Sequence, residues 1–265
     1  MENSADFTKS SASGTQSLAR ALEVLRQISN QNREGLRLSE IAERCALTKP
    51  TAHRLLRELC TSGLVILGPG HRYHLGQFSY ELGLVASARF HVRDACAPHL
   101  EHIAKETGDT VFLVMRSGFD SFCLARNTGD FPIKVFSLEV GNRQPLGVGA
   151  GGLAVLSFLP ESVRQETMQY NASKLDQYNG LTVEELTRHT QATRQRGYSD
   201  ISNFAVSGVS GVGVPILDRA GQPIVAISVT TISSRMNAEH KKEVLKILER
   251  EQQLVRETLI MSRTD

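Results

Sequence analysis

The sequence predicts a chain of mixed helices and strands in two parts, a small N-terminal domain and a larger C-terminal one. Three short amphipathic helices followed by two β-prone pieces indicate the first domain, and strands interleaved with helices indicate the second. The length of 265 residues, of which 40% are hydrophobic and 22% charged, suits one large domain or two ordinary ones that each bury a core.

The N-terminal domain is predicted to begin after a tail. Residues 1–15 are rich in Ser, Thr and Ala, have no hydrophobic periodicity and are expected to be disordered. Apolar residues then recur at spacings of three and four in a first helix that ends near Asn30, and a polar loop leads to a second helix over Leu38–Cys45. Thr48, a favourable N-cap, opens a third helix over Lys49–Cys60.

The third helix has an apolar side and a cationic side. Arg54 and Arg57 project opposite the apolar stripe and are flanked by Thr51 and His53. Three short helices with a tight turn before the last, and cations on the outer face of the third, are typical of a helix-turn-helix. The stripe consists of Ala52, Leu55, Leu56 and Leu59.

Two β-prone pieces follow the third helix. Residues 64–67 and 72–75 flank a Gly-Pro-Gly turn, which has the backbone freedom that a hairpin needs. With this hairpin as a wing, residues 16–76 are predicted to form a winged helix-turn-helix. Residues 77–93 are predicted to form a linker helix, because apolar and long side chains recur there at helical spacing. These linker positions are Phe78, Leu82, Val85 and Arg89.

Helices and strands alternate in the C-terminal domain, residues 94–265, which argues for an α/β or α+β fold. Pro98 indicates that a helix begins nearby, and Gly108 is expected to stop it after Lys105. The predicted strands are 110–116, 120–126, 133–139, 209–217 and 223–230, and the later helices are 150–158, 161–170, 183–196 and 238–261.

The composition argues against membrane and secreted classes. No apolar run approaches the roughly 20 residues that span a bilayer, and the first residues lack the order of a signal peptide, so a cytoplasmic protein without membrane contact is expected. The four cysteines show no CxxC and are predicted to be buried reduced thiols. Within a net charge of +2, residues 1–75 carry +3 and the remainder −1, a weak indication of a polyanion partner.

The run LSEIAERCALTKPTAHRLLRELCTSGLV, followed by HRYHLG, resembles the DNA-binding half of the IclR family of regulators. Further stretches are similar in the same order, so the resemblance covers about residues 16–260. Several ordered motifs are far more specific than a lone helix-turn-helix. These stretches are SLARAL, GNRQPL leading into GVGAGGLAVLSFLP, RGY, GVGVP and IVAISV.

The resemblance implies an α+β chain whose C-terminal effector-binding domain is GAF-like, with a curved antiparallel sheet and a ligand pocket on one face. It implies a regulator of a catabolic operon that binds double-stranded operator DNA and responds to a small carboxylic or aromatic acid, without a cofactor. Because one winged domain contacts few base pairs, a homodimer is expected, which can pair into a homotetramer.

The third helix is the predicted recognition helix. Side chains near the N-terminus of such a helix reach base edges in the major groove. We therefore expect Arg54 to contact a base, whereas Lys49 and Arg57 hold phosphates. The predicted DNA-binding residues are Lys49, Thr51, His53, Arg54, Arg57 and, at the wing, Arg72.

The resemblance also implies an effector site in the C-terminal domain. Its loop positions match Gly149 and Ala150, where backbone N–H groups at a helix start suit a carboxylate. Gly211 matches a strand position near the ligand, and Ser228 and Thr230 match two hydroxyl positions on the last strand. Residues at i and i+2 share one face of a strand, so both hydroxyls can point into one pocket.

One stretch departs from the family pattern. Where acidic residues are common, this chain has GYSDISNF, with Ile201, Asn203 and Phe204 at the corresponding positions. Asp200 is expected to substitute as an effector ligand after a shift of one residue. The more apolar wall favours an aromatic or longer acid over a small hydrated oxoacid.

A dinucleotide site and an enzyme are disfavoured. Residues 147–152 satisfy GxGxxG, but a polar run with Pro145 precedes them and helices follow, whereas a dinucleotide fingerprint needs a strand before it and an acidic residue about 20 positions later. Ser210 in GVSGV lacks the second glycine of a nucleophile elbow, and HExxH and Walker motifs are absent.

A metal sensor is disfavoured as well. Cys96, His99 and His102 recur at i, i+3 and i+6 and diverge around a helix, so one ion can engage at most two of them. A DNA-binding regulator with a degenerate sensor domain stays open as an alternative.

Overall fold

A computed structural model of the protein describes residues 15–87, 91–203 and 206–261; of the predicted tail, only Thr15 lies within these ranges. The chain divides into two compact units, one up to Arg89 and one from Phe90. The division falls inside the segment 77–93 that the sequence assigns to the linker. In the described ranges, the helices are too short or too polar to cross a membrane.

The N-terminal unit confirms the three predicted helices and the hairpin. It also has a strand that was not predicted, because two residues carry no periodic signal and this strand exists only through its pairing with the wing. The helices are α1 (Gln16–Asn30), α2 (Leu38–Arg44) and α3 (Lys49–Thr61), and the antiparallel strands are β1 (Leu36–Arg37), β2 (Val65–Gly68) and β3 (Arg72–Leu75), in the order β1-β3-β2.

The apolar stripe of α3 is the centre of this unit's core. All four stripe residues are buried, and the three leucines of the stripe pack with Val24, Ile28 and Ile41 of the first two helices. Full burial of a Leu or Ile side chain stabilises a protein by about 1.5–3 kcal/mol, so the stripe determines which side of α3 is left in solvent.

The linker segment 77–93 was predicted as one helix, but in its described part residues 77–87 form one helix, His91 is a turn, and Val92 begins the next helix. Helix α4 covers Gln77–Ser87, and its predicted apolar positions Phe78, Leu82 and Val85 are all exposed, whereas Arg89 lies outside the described residues. Helix α5 (Val92–Thr107) contains Pro98 well inside it, so the prediction that a helix begins near this proline is wrong. Burial of the helix face against the sheet outweighs the one backbone hydrogen bond that proline removes.

The C-terminal unit is built on one curled antiparallel sheet of six strands, which confirms the α+β class. Along the sheet the order is β6-β5-β4-β9-β8-β7, so β4 and β9 pair at its middle and β6 and β7 are its edges. The strands are β4 (Thr110–Ser117), β5 (Asp120–Thr128), β6 (Arg143–Pro145), β7 (Ser199–Ser202), β8 (Val209–Leu217) and β9 (Pro223–Ile232).

The predicted strand at residues 133–139 is wrong, and the short edge strands β6 and β7 were missed. Ile133 and Phe136 are exposed, and the backbone N–H of Val135 donates to the side-chain hydroxyl of Thr110, at 3.3 Å, and not to the backbone of a strand. Residues 133–139 therefore have no partner strand, despite their alternating pattern. The edge strands, by contrast, are polar and depend on pairing with β5 and β8.

Helices cover both faces of this sheet. Helices α6 (Ala150–Ser157), α7 (Glu161–Leu175) and α8 (Val183–Arg196) lie on the face that carries Val114 and Ala226. Helix α5 and the last helix, α9 (Ala238–Met261), cover the opposite face, which carries Val212, Ile227 and Val229. Successive residues of β9 therefore alternate between the α6 side and the α9 side.

Buried carboxylates join α9 to the rest of the unit. Asp109, at the start of β4, accepts hydrogen bonds from Arg235 Nε at 2.8 Å and from His240 Nε2 at 2.6 Å. Farther along α9, Glu251 lies 2.6 Å from the Nδ1 atom of His99 on α5. Burial acts to raise the pKa of Glu251, but the hydrogen bonds from His99 and Arg250 outweigh burial, and the net result is a lowered pKa.

Candidate functional site

The cations of α3 lie on the side away from the core. Lys49, His53, Arg54 and Arg57 are exposed, and Thr51 is half-buried. Arg57 leans toward Glu58, with 3.3 Å between its guanidinium and the carboxylate, while Arg54 is exposed beside it. These five predicted residues thus all lie on the part of the α3 surface that the core leaves uncovered.

A cleft of about 370 Å³ adjoins the start of α3. Its polar lining comes from Arg37 and Ser39 at the start of α2, from Lys49, and from His71 at the tip of the wing. The sequence analysis did not select Arg37 or Ser39. Their position at a helix start, where backbone N–H groups suit an anion, was the available signal.

Arg72 is separate from this exposed set. Its guanidinium donates to the carbonyl oxygen of Gly35 at 2.8 Å and lies 3.5 Å from the Glu40 carboxylate, so it fastens the wing to the β1–α2 segment. The pKa of Glu40 is lowered, chiefly by the hydrogen bond from the backbone N–H of Arg37; burial opposes this, and the charge of Arg72 adds to the lowering.

Substitution of Thr48, the N-cap of α3, tests how much this residue stabilises the start of the helix. The Thr48 hydroxyl accepts from the backbone N–H of Thr51 at 3.4 Å and lies 2.9 Å from its hydroxyl. We expect Thr48→Ala to lower the free energy of unfolding by about 1 kcal/mol, the usual loss for an N-cap. Thermal denaturation of the intact chain measures it. The matched control is Thr61→Ala at the other end of α3, and equal effects of the two substitutions would contradict the assignment.

The predicted effector residues converge where α6 begins. Gly149, with φ of 76°, is the N-cap of α6, and Ala150 is its first residue. A Cβ atom on Gly211 would lie 3.4 Å from the Cβ of Ala150 and 2.9 Å from the Thr230 hydroxyl. Ser228 is on the same face, because its hydroxyl would lie 3.1 Å from a Cβ on Gly151. The five residues of this effector cluster are Gly149, Ala150, Gly211, Ser228 and Thr230.

The start of α6 is seated directly on the sheet. The Ser199 hydroxyl donates to the carbonyl oxygen of Ala150 at 2.7 Å, and a Cβ on Gly151 would meet the side chain of Val114 at 2.6 Å. Only glycine permits this approach. Beside Gly149 lies the side-chain amide of Gln144, which donates to the Val148 carbonyl at 2.8 Å and was not selected from the sequence.

The structure does not bring Asp200 to the effector cluster. Neighbouring residues of a strand point to opposite faces, and on β7 Ser199 contacts α6 whereas Asp200 faces α9. Both carboxylate oxygens of Asp200 lie 2.9 Å from the Lys241 ammonium. Ile201, buried on the α6 face, takes the place that Asp200 was expected to fill, and Phe204 lies outside the described residues.

The cysteine and histidine residues considered for a metal have other surroundings. Cys96 is buried, and burial raises its pKa to about 12. His99 pairs with Glu251, and His102 lies near Arg250 and Glu106. Within the described residues, His, Cys, Asp and Glu form no group of three that suits a metal ion.

The glycine-rich run at residues 147–152 opens α6. A short strand, β6, does precede it, contrary to the prediction, but this strand pairs antiparallel with β5. A dinucleotide fingerprint requires a parallel βαβ unit, and the sheet that the described ranges form is antiparallel throughout.

Comparison with known proteins covers both units. The model for the IclR helix-turn-helix domain matches residues 17–66, and the model for the bacterial transcriptional regulator IclR C-terminal domain matches residues 85–255. The HTH-type transcriptional regulator KipR of Bacillus subtilis is 25% identical over 213 residues, which are 78% of this chain and 83% of KipR. The relatives found are transcriptional regulators, not enzymes.

Solved structures of similar proteins share the fold. An IclR transcriptional regulator from Alicyclobacillus acidocaldarius is 27% identical with a TM-score of 0.75, and the match covers 91% of this chain and 98% of that one. An IclR homolog from Microbacterium hydrocarbonoxydans, in complex with 4-hydroxybenzoate, is 24% identical with a TM-score of 0.73, and the match covers 92% and 99% of the two chains.

Proposed function

Because the chain belongs to the IclR family of bacterial transcriptional regulators, with a helix-turn-helix and an effector domain, we propose that α3 binds operator DNA sequence-specifically and that a small acid controls this binding. The observation that carries the proposal is the exposed cationic face of α3 opposite its buried stripe. The proposed target is a catabolic operon. The proposed compartment is the cytoplasm, because the DNA is there.

In this proposal, different cationic residues of the N-terminal unit contact bases and phosphates. Arg54 makes the sequence-specific contact, because a guanidinium can donate two hydrogen bonds to one guanine. Lys49 and Arg57 hold phosphates, and Arg37 and His71 extend the phosphate-binding surface along the cleft beside α3. Arg72 supports this surface by fastening the wing to the Gly35 carbonyl rather than by contacting DNA.

The effector cluster binds the carboxylate of an aromatic or longer acid. The N–H groups at the start of α6 and the hydroxyls of Ser228 and Thr230 supply donors for the carboxylate. Ile201, buried on the same face, supplies an apolar wall in place of an acidic side chain. The 4-hydroxybenzoate complex of the Microbacterium homolog makes that acid a suitable first probe.

A ligand-independent regulator is the second candidate. The close seating of α6 on the sheet, where Gly151 and Val114 leave no room for even a methyl group, favours it. In the effector-controlled case the start of α6 must move away from the sheet when the acid enters, and only an acid that prefers the moved state can shift the equilibrium.

Dimerisation supports specific DNA binding in this proposal. Helix α4 exposes Tyr80, Leu84 and Val85, and α1 exposes Leu18 and Leu22, although residues of this type are usually buried. A second copy of the chain is the proposed cover for these side chains, and pairs of dimers then give a tetramer. Two recognition helices on one palindrome give the affinity that a single winged domain lacks.

The proposal is tested by fluorescence anisotropy on DNA from upstream of the protein's own coding region and its neighbours. The titration is run with and without a panel of aromatic and short carboxylic acids that includes 4-hydroxybenzoate and glyoxylate. A specific complex whose affinity one aromatic acid changes supports the effector-controlled regulator. Specific binding that no acid changes supports the ligand-independent one, and the absence of specific binding to any fragment at low salt contradicts both.

The hydroxyl on β9 gives the effector site its own test. We expect Thr230→Val, which keeps the side-chain shape, to weaken the tightest-binding acid of the panel about 10-fold or more, because a hydrogen bond to a charged group contributes about 1.5–3 kcal/mol. Isothermal titration calorimetry measures it. Thr231→Val is the matched control, because Thr231 points to the opposite face and its buried hydroxyl has no hydrogen-bond partner in the described structure. Equal losses in both variants would rule out this site.

A further inference from the structure

Two guanidinium groups converge at the end of α6 that is remote from the effector cluster. Arg164 of α7 and Arg194 of α8 both donate to the carbonyl oxygen of Ser157, at 3.4 and 2.9 Å. Arg164 also donates to the Leu159 carbonyl at 3.2 Å and is only 7% exposed. Like charges repel, so an anion bound nearby would stabilise two cations that share one carbonyl.

The anion present is a single carboxylate. Glu161 pairs with Arg164, but its own side chain is 62% exposed. In the described part of the chain, Arg194 has no carboxylate within ion-pair distance, and its one hydrogen bond is the bond to Ser157. Burial, and after it the charge of Arg194, lowers the pKa of the Arg164 guanidinium, as expected where positive charge is incompletely compensated.

These groups line an open cavity of about 240 Å³. Its wall is completed by Phe158 and by Gly221 and Gln222 in the turn between β8 and β9. The cavity therefore joins three helices to a hairpin turn and has two cationic donors on one side. None of these residues belongs to the effector cluster.

We propose that this cavity binds a phosphoryl group, either free phosphate or the phosphate of a small monoester. A planar carboxylate has two oxygens and is satisfied by one guanidinium fork, whereas the oxygens of a phosphate can accept from two forks on different helices. Glu161 occupies the Arg164 side of the cavity in the absence of the ligand. The incoming phosphate displaces this carboxylate, which swings into solvent, and then bridges Arg164 and Arg194.

The test is calorimetric titration of the intact protein with sodium phosphate, with sodium chloride used to keep the ionic strength constant. We expect saturable binding to the wild type. Arg194→Gln should weaken it about 10-fold or more, because a charge-assisted hydrogen-bond pair is lost. Glu161→Gln should tighten it by up to about fivefold, the range of an exposed ion pair, because the competing carboxylate is gone. A mere helix-capping role of the arginines predicts no phosphate effect in any of these proteins.

Matched controls separate this site from others. Arg196→Gln removes an exposed cation two residues along the same helix, where Arg196 stacks over Tyr198, and should leave phosphate binding unchanged. Thr230→Val should also leave it unchanged, so failure of the proposed effector site and failure of this site are distinguishable. If Arg194→Gln and Arg196→Gln change phosphate binding equally, the protein binds an adventitious ion only, and the proposal is overturned.

Two further ligands identify the class of anion that the cavity binds. Succinate that binds more tightly than phosphate in the same cavity would overturn the phosphoryl assignment. Glycerol 2-phosphate run beside inorganic phosphate distinguishes the two sources, because preferential binding of the monoester supports a phosphorylated metabolite and preferential binding of inorganic phosphate supports the free ion.

Discussion

Asp109→Ala is expected to destabilise the C-terminal unit by about 3 kcal/mol, the lower end of the cost of removing one partner from a buried ion pair. The Asp109 side chain is fully buried and accepts from both Arg235 and His240. When the Asp109 carboxylate is removed, the Arg235 guanidinium, which lies over the Phe131 ring, loses its ion-pair partner. Arg235 is 30% exposed and can recover some hydration, which is why the lower end of the range applies.

Urea denaturation of the intact chain, followed by circular dichroism, measures this loss. Because whole domains are stable by only about 5–15 kcal/mol, a loss of this size moves the transition clearly. Asp109→Asn should lose less, because the amide oxygen still accepts one hydrogen bond. The matched control is Asp176→Ala at the exposed end of α7, which should change stability by less than about 0.5 kcal/mol. A loss below about 1 kcal/mol for Asp109→Ala would show that the contacts of Asp109 with Arg235 and His240 do not stabilise the unit.

Arg54→Ala is expected to weaken specific operator binding roughly 5- to 150-fold, which corresponds to the loss of about 1–3 kcal/mol for one bidentate base contact. Arg54 is exposed on the outer face of α3, so its removal leaves the core stripe intact. Fluorescence anisotropy with operator and with scrambled DNA measures it. The ratio between the two affinities should fall.

Two other arginines distinguish base recognition from simple charge. Arg57→Ala should weaken operator and scrambled DNA by the same factor and reduce the salt dependence by about one phosphate contact. Arg26→Ala, on the exposed side of α1 where Arg26 pairs with Glu23, should change neither affinity. If Arg54→Ala weakens both DNAs equally, as Arg57→Ala does, then Arg54 is a phosphate contact and another side chain provides the specificity.

Elements that depend on local signals could be predicted from the amino-acid sequence alone. The stripe of α3 and its Thr48 cap are readable within a few residues, because helical period and capping are short-range effects. Gly108, predicted to stop a helix, ends α5 in the left-handed conformation, with φ of 74°. The five members of the effector cluster came instead from the family resemblance, and the structure brings them together at the start of α6.

Features that depend on partners distant in sequence became visible only in the folded chain. Strands β1, β6 and β7 are too short to carry a period and exist because a neighbouring strand supplies their hydrogen bonds. Asp200 faces Lys241 because the register of β7 on β8 turns Ser199, and not Asp200, toward α6. The convergence of Arg164 and Arg194 on one carbonyl likewise joins residues 30 positions apart, and local periodicity contains no information about such contacts.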